Sequence, residues 1–217
     1  MIREPVLLAL KQIAIDDAII LEAQTHLARV HGGFAELIAR YGSCSIRPKR
    51  RNYFDTLASS IISQQLSEKA ATTIKNRVCE VVGRPRPFRS SDFLGVDPLN
   101  LRGAGLSTAK ARFIQNLAHL VESGAISFSG ISRSDDEAIT DTLTSIPGVG
   151  QWTAQMFLIF AMGRPDVCAP ADAGLRRAVK LLYGLRRPVT HERFVRISQP
   201  WRPYRSVASW YLWRMLD

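Results

Sequence analysis

A short glycine-containing turn near residue 148 carries the residue types of an anion site. Residues 145–155 read SIPGVGQWTAQ and place Gly148 and Gly150 directly before a helical segment. Glycine permits positive φ and leaves no β carbon in the way of an approaching group. The first amides of a helix have no intrahelical partner and lie at the positive end of its dipole. The pattern predicts a backbone seat for a phosphate; a plain corner between two helices, whose glycines serve only the turn, is the alternative.

A single carboxylate stands at the mouth of a later helix. Asp172 follows Pro170 and precedes the helical stretch AGLRRAVKLLY. The ordinary role of an aspartate at this place is to cap the helix. The same place, at the positive end of the helix dipole, also suits a carboxylate that acts in chemistry. Asp166, earlier in the same loop, is interpreted as loop structure.

The charge balance points to a polyanionic partner. The chain of 217 residues has 29 Lys and Arg against 19 Asp and Glu, a net charge of +10. Such an excess favours nucleic acid as the partner; a basic protein with no such partner is the alternative. The 46% hydrophobic and 22% charged residues are ordinary for a folded domain, so we expect no extensive disorder.

Cysteine and histidine spacing excludes the common metal sites. Cys44, Cys79 and Cys168 are widely separated and odd in number, and the four histidines form no HExxH pattern. A reducing cytoplasm fits best. No apolar run approaches the length that spans a membrane, and the N-terminal VLLAL is too short for an export signal. The sequence predicts an intracellular, membrane-free protein.

Helical periodicity runs through nearly the whole chain and predicts an all-α fold. Ser107 is placed to cap one helix, and Ser134 with Glu137 forms a capping box for another. The segment LRGAGLS (101–107) is interpreted as a glycine-rich loop, and SQQLS (63–67) as a polar break between two helices. The predicted helices are 16–30, 34–41, 53–62, 68–82, 108–123, 135–144, 151–162, 173–183, 190–199 and 203–216.

Five segments, in order, resemble the helix-hairpin-helix/Gly-Pro-Asp superfamily of DNA base-excision glycosylases. The branch that they resemble is the DNA-3-methyladenine glycosylase II type, in a short form without the N-terminal sheet domain. The resemblance implies a two-lobed all-α fold with the active site in the cleft between a lobe of about 50–165 and a lobe of about 1–49 plus 166–217. The segments are LASSIISQQLSEKAA (57–71), LRGAGLSTAKARFIQNLA (101–118), SIPGVGQWTAQMFLIF (145–160), Asp172 and PWRPYRSVASWYLW (200–213).

The resemblance implies excision of alkylated purines, such as 3-methyladenine and 7-methylguanine, from duplex DNA by base flipping during base excision repair. Asp172 would stabilise the oxocarbenium-like sugar and orient the attacking water. Trp152 and Trp213 would line the base pocket with Met156, which stands where the longer bacterial enzyme has a tyrosine. A cationic base over an aromatic face gains roughly 1–2 kcal/mol when water is excluded; core packing is the alternative for both tryptophans.

The resemblance also argues against strand cutting. Bifunctional members have a lysine at the position of Trp152, and this lysine forms a Schiff base with the sugar. Lys110 and Lys180 are interpreted as solvated helix residues. Three scattered cysteines cannot hold the iron–sulfur cluster of the endonuclease III-like enzymes. A bifunctional oxidised-base glycosylase/lyase and a non-catalytic DNA-binding module remain the alternatives.

The residues that the resemblance assigns to DNA come from two elements. A residue of the loop 63–67 would fill the gap that the flipped base leaves, and the match points to Gln65; capping of the flanking helices is the alternative role of Gln64 and Gln65. The DNA-binding set is Gln64, Gln65, Leu66, Ser67, Gly148, Val149 and Gly150.

We expect a monomer in the cytoplasm, on the nucleoid if the source is bacterial.

One ion is implied by the resemblance alone. The backbone carbonyls of Thr144, Ile146 and Gly148 would hold a structural Na⁺ or K⁺ that makes the hairpin rigid against the phosphate. No metal or other cofactor is expected to take part in the chemistry.

Overall fold

The computed structural model describes residues 14–48, 53–131 and 133–217. Within these ranges the regular structure is helical and contains no strand, which confirms the all-α prediction. The α-helices, numbered in chain order, are α1 Asp17–Val30, α2 Gly32–Tyr41, α3 Tyr53–Ser63, α4 Glu68–Val82, α5 Pro98–Gly103, α6 Thr108–Glu122, α7 Phe128–Ile131, α8 Asp136–Thr144, α9 Gln151–Met156, α10 Ala173–Leu182, α11 His191–Ser198 and α12 Arg205–Arg214.

The chain divides into two compact units. One is Arg50–Phe157, and the other combines Met1–Lys49 with Leu158–Asp217. The resemblance placed the second junction near residue 165. In the structure it falls after Phe157, inside a helical stretch in which α9 is followed by a π-helix over Phe157–Ala161.

The unit Arg50–Phe157 is built around α3. This helix contacts α4, α6 and α9, and its Leu57, Ile61 and Ile62 are fully buried. Burial of one such side chain stabilises the fold by about 1.5–3 kcal/mol. The first turn of α3 is fastened by the buried Asp55, which accepts hydrogen bonds from the Arg86 guanidinium and from the Phe88 amide at 3.0 Å. The unit therefore holds the two ends of α3, and the loop that follows it, at fixed places.

The other unit is built around α12 and Trp201. Helix α12 contacts α1, α2 and α10. The ring of Trp201 is fully buried and meets Phe34 and Phe194 edge to face, with centroids 5.6 and 5.8 Å apart. Edge-to-face pairs of this kind contribute about 0.5–1.5 kcal/mol each beyond the area that they bury. Since α10 and α12 pack together, the first turn of α10 has a fixed place beside the end of α12.

Several predicted helix ends are confirmed, and three differ. Ser107 caps α6 as predicted, and Ser67, which was not predicted as a cap, caps α4. The capping box at Ser134 is wrong: Asp135 is the N-cap of α8 and accepts the Ala138 amide at 2.8 Å. The predicted loop 101–107 begins with the last turn of α5, and the helix predicted over 151–162 is π-helical in its second half. The basic stretch IRPKRR (46–51), for which the sequence predicts a loop, lies partly outside the described residues.

Candidate functional site

The hairpin between α8 and α9 has the geometry that its glycines predict. Two hydrogen bonds close the turn, from Ile146 N–H to the Leu143 carbonyl at 3.1 Å and from Val149 N–H to the Ile146 carbonyl at 3.0 Å. Gly148 has φ of +86° and packs against Phe113 of α6, where a β carbon would overlap the ring. Any other residue at this position would therefore need both a strained backbone and a displaced ring.

Gly150 is a different kind of glycine. It is the N-cap of α9 with φ of −88°, no side chain caps the helix, and nothing lies within 4 Å of where a β carbon would be. A larger residue would thus fit the fold at Gly150. Gly150 itself is exposed, so the start of α9 lies at the surface of its unit, and the phosphate seat at this turn stays a prediction.

Asp172 lies in the unit that contains α10 and α12, and two N–H groups of the same unit donate hydrogen bonds to it. As the N-cap of α10, its Oδ1 accepts the Leu175 amide at 2.8 Å and the indole N–H of Trp213 at 3.3 Å. The side chain is 9% exposed. A β carbon on Gly174 would lie 3.1 Å from the same Oδ1, so a glycine there leaves the carboxylate room. The structure therefore brings Asp172 and Trp213 together, as the resemblance implied.

An aromatic group beyond Trp213 was missed from sequence. Phe160 lies against the Trp213 ring with centroids 5.5 Å apart and planes at 33°. Phe160 also lines a cavity of about 330 Å³ whose wall includes Pro48 and Trp210. The spacing of Trp210 and Trp213, three residues apart on one helix, could have indicated this aromatic surface.

The second predicted aromatic lies on α9. Trp152 is 38% exposed, and Met156, one turn later, is buried. Between them Gln155 is buried, and its Oε1 has no hydrogen-bond partner within the described parts of the chain. Residues three and four apart share a helix face, so this polar oxygen lies on the face that carries Trp152. A buried acceptor without a partner is costly in a protein interior.

The loop 63–67 is anchored at both ends, and Gln65 stands at its tip. Gln64 donates from Nε2 to the Gly148 carbonyl at 2.9 Å, which ties the loop to the hairpin. Gln65 is exposed and has φ of +57°, a left-handed conformation that costs a non-glycine residue about 1 kcal/mol or more. Leu66 is 38% exposed, and Ser67 caps α4. The Gln64 side-chain amide is turned toward the hairpin rather than toward a helix end.

The interpretation of Lys110 as a solvated residue is wrong. Its Nζ donates to the carbonyls of Ile62 and Gln64 at 2.8 and 2.7 Å, where α3 ends and the loop begins. Burial lowers the pKa of Lys110. A cation at a helix C-terminus also interacts favourably with the helix dipole. Periodicity places a lysine on a helix, but it does not show which carbonyls the side chain reaches.

Two of the three carbonyls named for a cation already accept hydrogen bonds from the chain. The Ile146 carbonyl accepts the Val149 amide, and the Gly148 carbonyl accepts the Gln64 side chain. An N–H donor directed at an oxygen competes with a cation there, although each carbonyl has a second lone pair. The Na⁺ or K⁺ stays a prediction, and no step proposed below depends on it.

The described His, Cys, Asp and Glu side chains do not cluster into a metal site. Within ranges 14–48, 53–131 and 133–217, no three His, Cys, Asp or Glu side chains are placed to hold a metal ion. The three cysteines form no disulfide. Burial raises the pKa of the Cys44 thiol to about 11, so this group stays protonated. No helix in the described chain is long and apolar enough to cross a membrane.

Comparison with known proteins decides the family. The family model of HhH-GPD superfamily base excision DNA repair proteins matches residues 58–203, a stretch that includes the loop, the hairpin and Asp172. The chain belongs to this superfamily. A relative from Schizosaccharomyces pombe, the alkylbase DNA glycosidase-like protein mag2, is 29% identical over 196 residues, which cover 89% of this chain and 92% of the relative.

Two solved structures share the fold along nearly the full chain. A DNA-3-methyladenine glycosidase from Bacillus halodurans is 34% identical, with a TM-score of 0.76 over 93% of this chain and 90% of the other. The 3-methyladenine DNA glycosylase Mag1 of Schizosaccharomyces pombe, in complex with abasic DNA, is 28% identical, with a TM-score of 0.80 over 89% and 95%. The fold class and the family resemblance predicted from sequence are thereby confirmed.

Proposed function

We propose that this member of the superfamily is a monofunctional DNA glycosylase that hydrolyses the N-glycosidic bond of alkylated purines in duplex DNA. The observation that carries the proposal is the Asp172 carboxylate, held by the Leu175 amide and the Trp213 indole. Its relatives and structural neighbours with alkylbase and 3-methyladenine in their names support the same substrate class. The protein would act on DNA as a monomer.

In the proposed reaction the electron pair of the C1′–N bond leaves with the base. An alkylated purine already carries a positive charge, so it departs neutral and needs no general acid. The sugar becomes an oxocarbenium-like cation, which the Asp172 carboxylate stabilises across a short distance. Water then adds its oxygen to C1′ and gives a proton to the carboxylate, which returns it to solvent. The Trp213 N–H keeps the carboxylate oriented throughout.

Base recognition is proposed to rest on aromatic faces. Trp152 is exposed by 38% although tryptophan is usually largely buried, which leaves part of its ring available for stacking. Trp213 offers a second ring directly beside Asp172, with Phe160 stacked against it. A cationic purine stacked on either ring is favoured over a neutral one by cation–π attraction of roughly 1–2 kcal/mol.

Absence of lyase activity is the first expected result. The position where a bifunctional enzyme carries its lysine is Trp152, which has no nucleophilic nitrogen. Incubation with methylated duplex should leave an intact abasic strand that breaks only after alkali or heat. Borohydride should trap no covalent adduct, with an endonuclease III-type enzyme as positive control. A trapped adduct would show that another amine forms a Schiff base and that the reaction is bifunctional.

Gln65 is proposed to fill the gap left by the flipped base. An amide can occupy the space and hydrogen-bond the widowed base, whereas a purely apolar wedge could only separate the stack. Gln65→Ala should reduce single-turnover excision by about tenfold for 7-methylguanine opposite cytosine. The flipped base gives up its stacking and pairing in the duplex, and the variant lacks the side chain that compensates for this loss. The loss should be small opposite an abasic-site analogue, where extrusion is already cheap. Equal loss in both duplexes, or none, would place the plug elsewhere.

A further inference from the structure

We infer that Lys110 is a positioning residue for base extrusion, which acts by holding Gln65 at the tip of loop 63–67. The inference rests on the proposed role of Gln65 as the plug. Lys110 lies in the first turn of α6 and is three residues from the N-cap Ser107. It is separated from the loop by more than forty residues of sequence, so its contacts there come from the fold alone.

The Lys110 ammonium joins the last turn of α3 to the loop. It donates to the Ile62 carbonyl at 2.8 Å and to the Gln64 carbonyl at 2.7 Å. The first carbonyl belongs to the helix and the second to the residue directly before Gln65. One cation therefore fixes the peptide that leads into the tip of the loop relative to a rigid helix. Both are charge-assisted hydrogen bonds, which are shorter and stronger than neutral ones.

The side chain of Gln64 supplies the second anchor. It donates to the Gly148 carbonyl, and Gly148 itself is packed against Phe113, which is three residues from Lys110 on α6. The loop, the hairpin turn and the first turn of α6 are thus one hydrogen-bonded and packed cluster. If the hairpin holds a phosphate, the cluster sets the position of the loop tip relative to that phosphate.

The hydrogen bonds of Lys110 and Gln64 maintain an unusual backbone conformation at Gln65. Its φ of +57° belongs to the region that glycine favours, and the loop contains no glycine. A strained backbone persists only where the surroundings hold it, and such residues cluster at functional sites. Gln64, the residue directly before Gln65, is held twice: its carbonyl accepts a hydrogen bond from Lys110, and its side chain donates to the Gly148 carbonyl. Without them the loop would relax toward ordinary backbone angles, and the Gln65 side chain would leave its present direction.

A merely structural role for Lys110 predicts a different result. Loss of a helix C-terminal contact would lower the stability of the fold and would reduce excision of paired and unpaired lesions equally. A positioning role predicts a selective loss, because only a paired base needs the plug. The ratio of the two single-turnover excision rates separates these outcomes, and it does not depend on the fraction of folded enzyme.

The test compares four variants on 7-methylguanine opposite cytosine and opposite an abasic-site analogue. Lys110→Met keeps the length of the side chain and removes its donors, and should lower the paired-to-unpaired rate ratio by about tenfold, the scale of a small misplacement. Lys110→Arg keeps donors and should retain most of the wild-type ratio. Lys69→Met makes the same chemical change at an exposed position near the loop and should leave the ratio unchanged. Gln64→Leu, which removes the side-chain donor to the hairpin, should lower the ratio by a similar factor.

A double mutant decides whether Lys110 acts through Gln65. Residues that act as a unit are non-additive, so Lys110→Met with Gln65→Ala should show the same ratio as Gln65→Ala alone. If the rate ratio of the double mutant fell by the product of the two single-mutant factors, the inference would be overturned. The inference would also be overturned if Gln65→Ala lowered the rate ratio and Lys110→Met did not. The proposed function would not be affected by that result. A Gln65→Ala variant with a normal ratio would overturn the plug itself.

Discussion

Asp172→Asn should lower the single-turnover rate of base excision by about 10²–10⁴-fold while damaged DNA is still bound. Asparagine caps helices as well as aspartate does, so the Leu175 amide keeps a partner and the fold of α10 should be retained. What the variant loses is the negative charge that opposes the oxocarbenium-like sugar. Rapid-quench measurement on a 7-methylguanine duplex, with affinity measured in parallel, separates the two quantities.

The matched control for this variant is another capping aspartate. Asp16 caps α1 in the same way, with Oδ1 accepting the Ile19 amide at 2.9 Å, and it is exposed. Asp16→Asn should leave excision within about twofold of the wild type, as surface substitutions usually do. Near-normal excision by Asp172→Asn would return Asp172 to a capping role and remove the catalytic carboxylate from the mechanism.

The second large effect is expected in the hairpin, where two glycines should behave differently. Gly148→Val should destabilise the fold by about 2–4 kcal/mol, because it adds a strained φ and an overlap with Phe113. Gly150→Val should fold normally, since its backbone is ordinary and its surroundings are open. It should nevertheless weaken binding to damaged and undamaged duplex alike by about tenfold, because phosphate contacts carry no sequence information.

Salt dependence and a control glycine make this prediction specific to the hairpin. Affinity of the wild type should fall steeply with salt, and Gly150→Val should flatten the slope by about one phosphate contact. Gly103→Val, at a glycine with equally open surroundings near the end of α5, should leave affinity and slope unchanged. Unchanged binding by Gly150→Val would mean that the turn is a plain corner between helices.

Local helix signals predicted much of the fold, because each depends on near neighbours in sequence. Glu68 in the first turn and Gly83 at the end indicate a helix over 68–82, and the structure confirms both ends as those of α4. At α8 the same reasoning fails by one residue. Ser134 and Asp135 are both good caps, and the choice between them depends on which backbone the rest of the unit holds in an extended conformation.

Contacts between distant segments could not be read from periodicity. Lys110 looks like any lysine on an amphipathic helix until the end of α3 is placed beside it. The same holds for Gln64 and the Gly148 carbonyl, which are far apart in sequence. The family resemblance named Asp172 and Trp213 separately, and the hydrogen bond between them became visible only in the structure.

The π-helical turn after Met156 is the other feature that sequence did not indicate. Residues 157–161 read FLIFA, an apolar run that a regular α-helix would accommodate equally well. Within that turn Phe160 is the residue that reaches Trp213. Widening of a helix by one residue per turn re-aims the side chains that follow it, and such turns are frequent at functional sites.

Base release from randomly methylated duplex DNA tests the central claim most directly. The freed bases would be identified by chromatography, with Asp172→Asn as the inactive control. The proposed function predicts that methylated purines, 3-methyladenine and 7-methylguanine among them, are released by the wild type and that normal bases stay in the strand. Release of no methylated purine, or release at an equal rate by Asp172→Asn, would contradict the account.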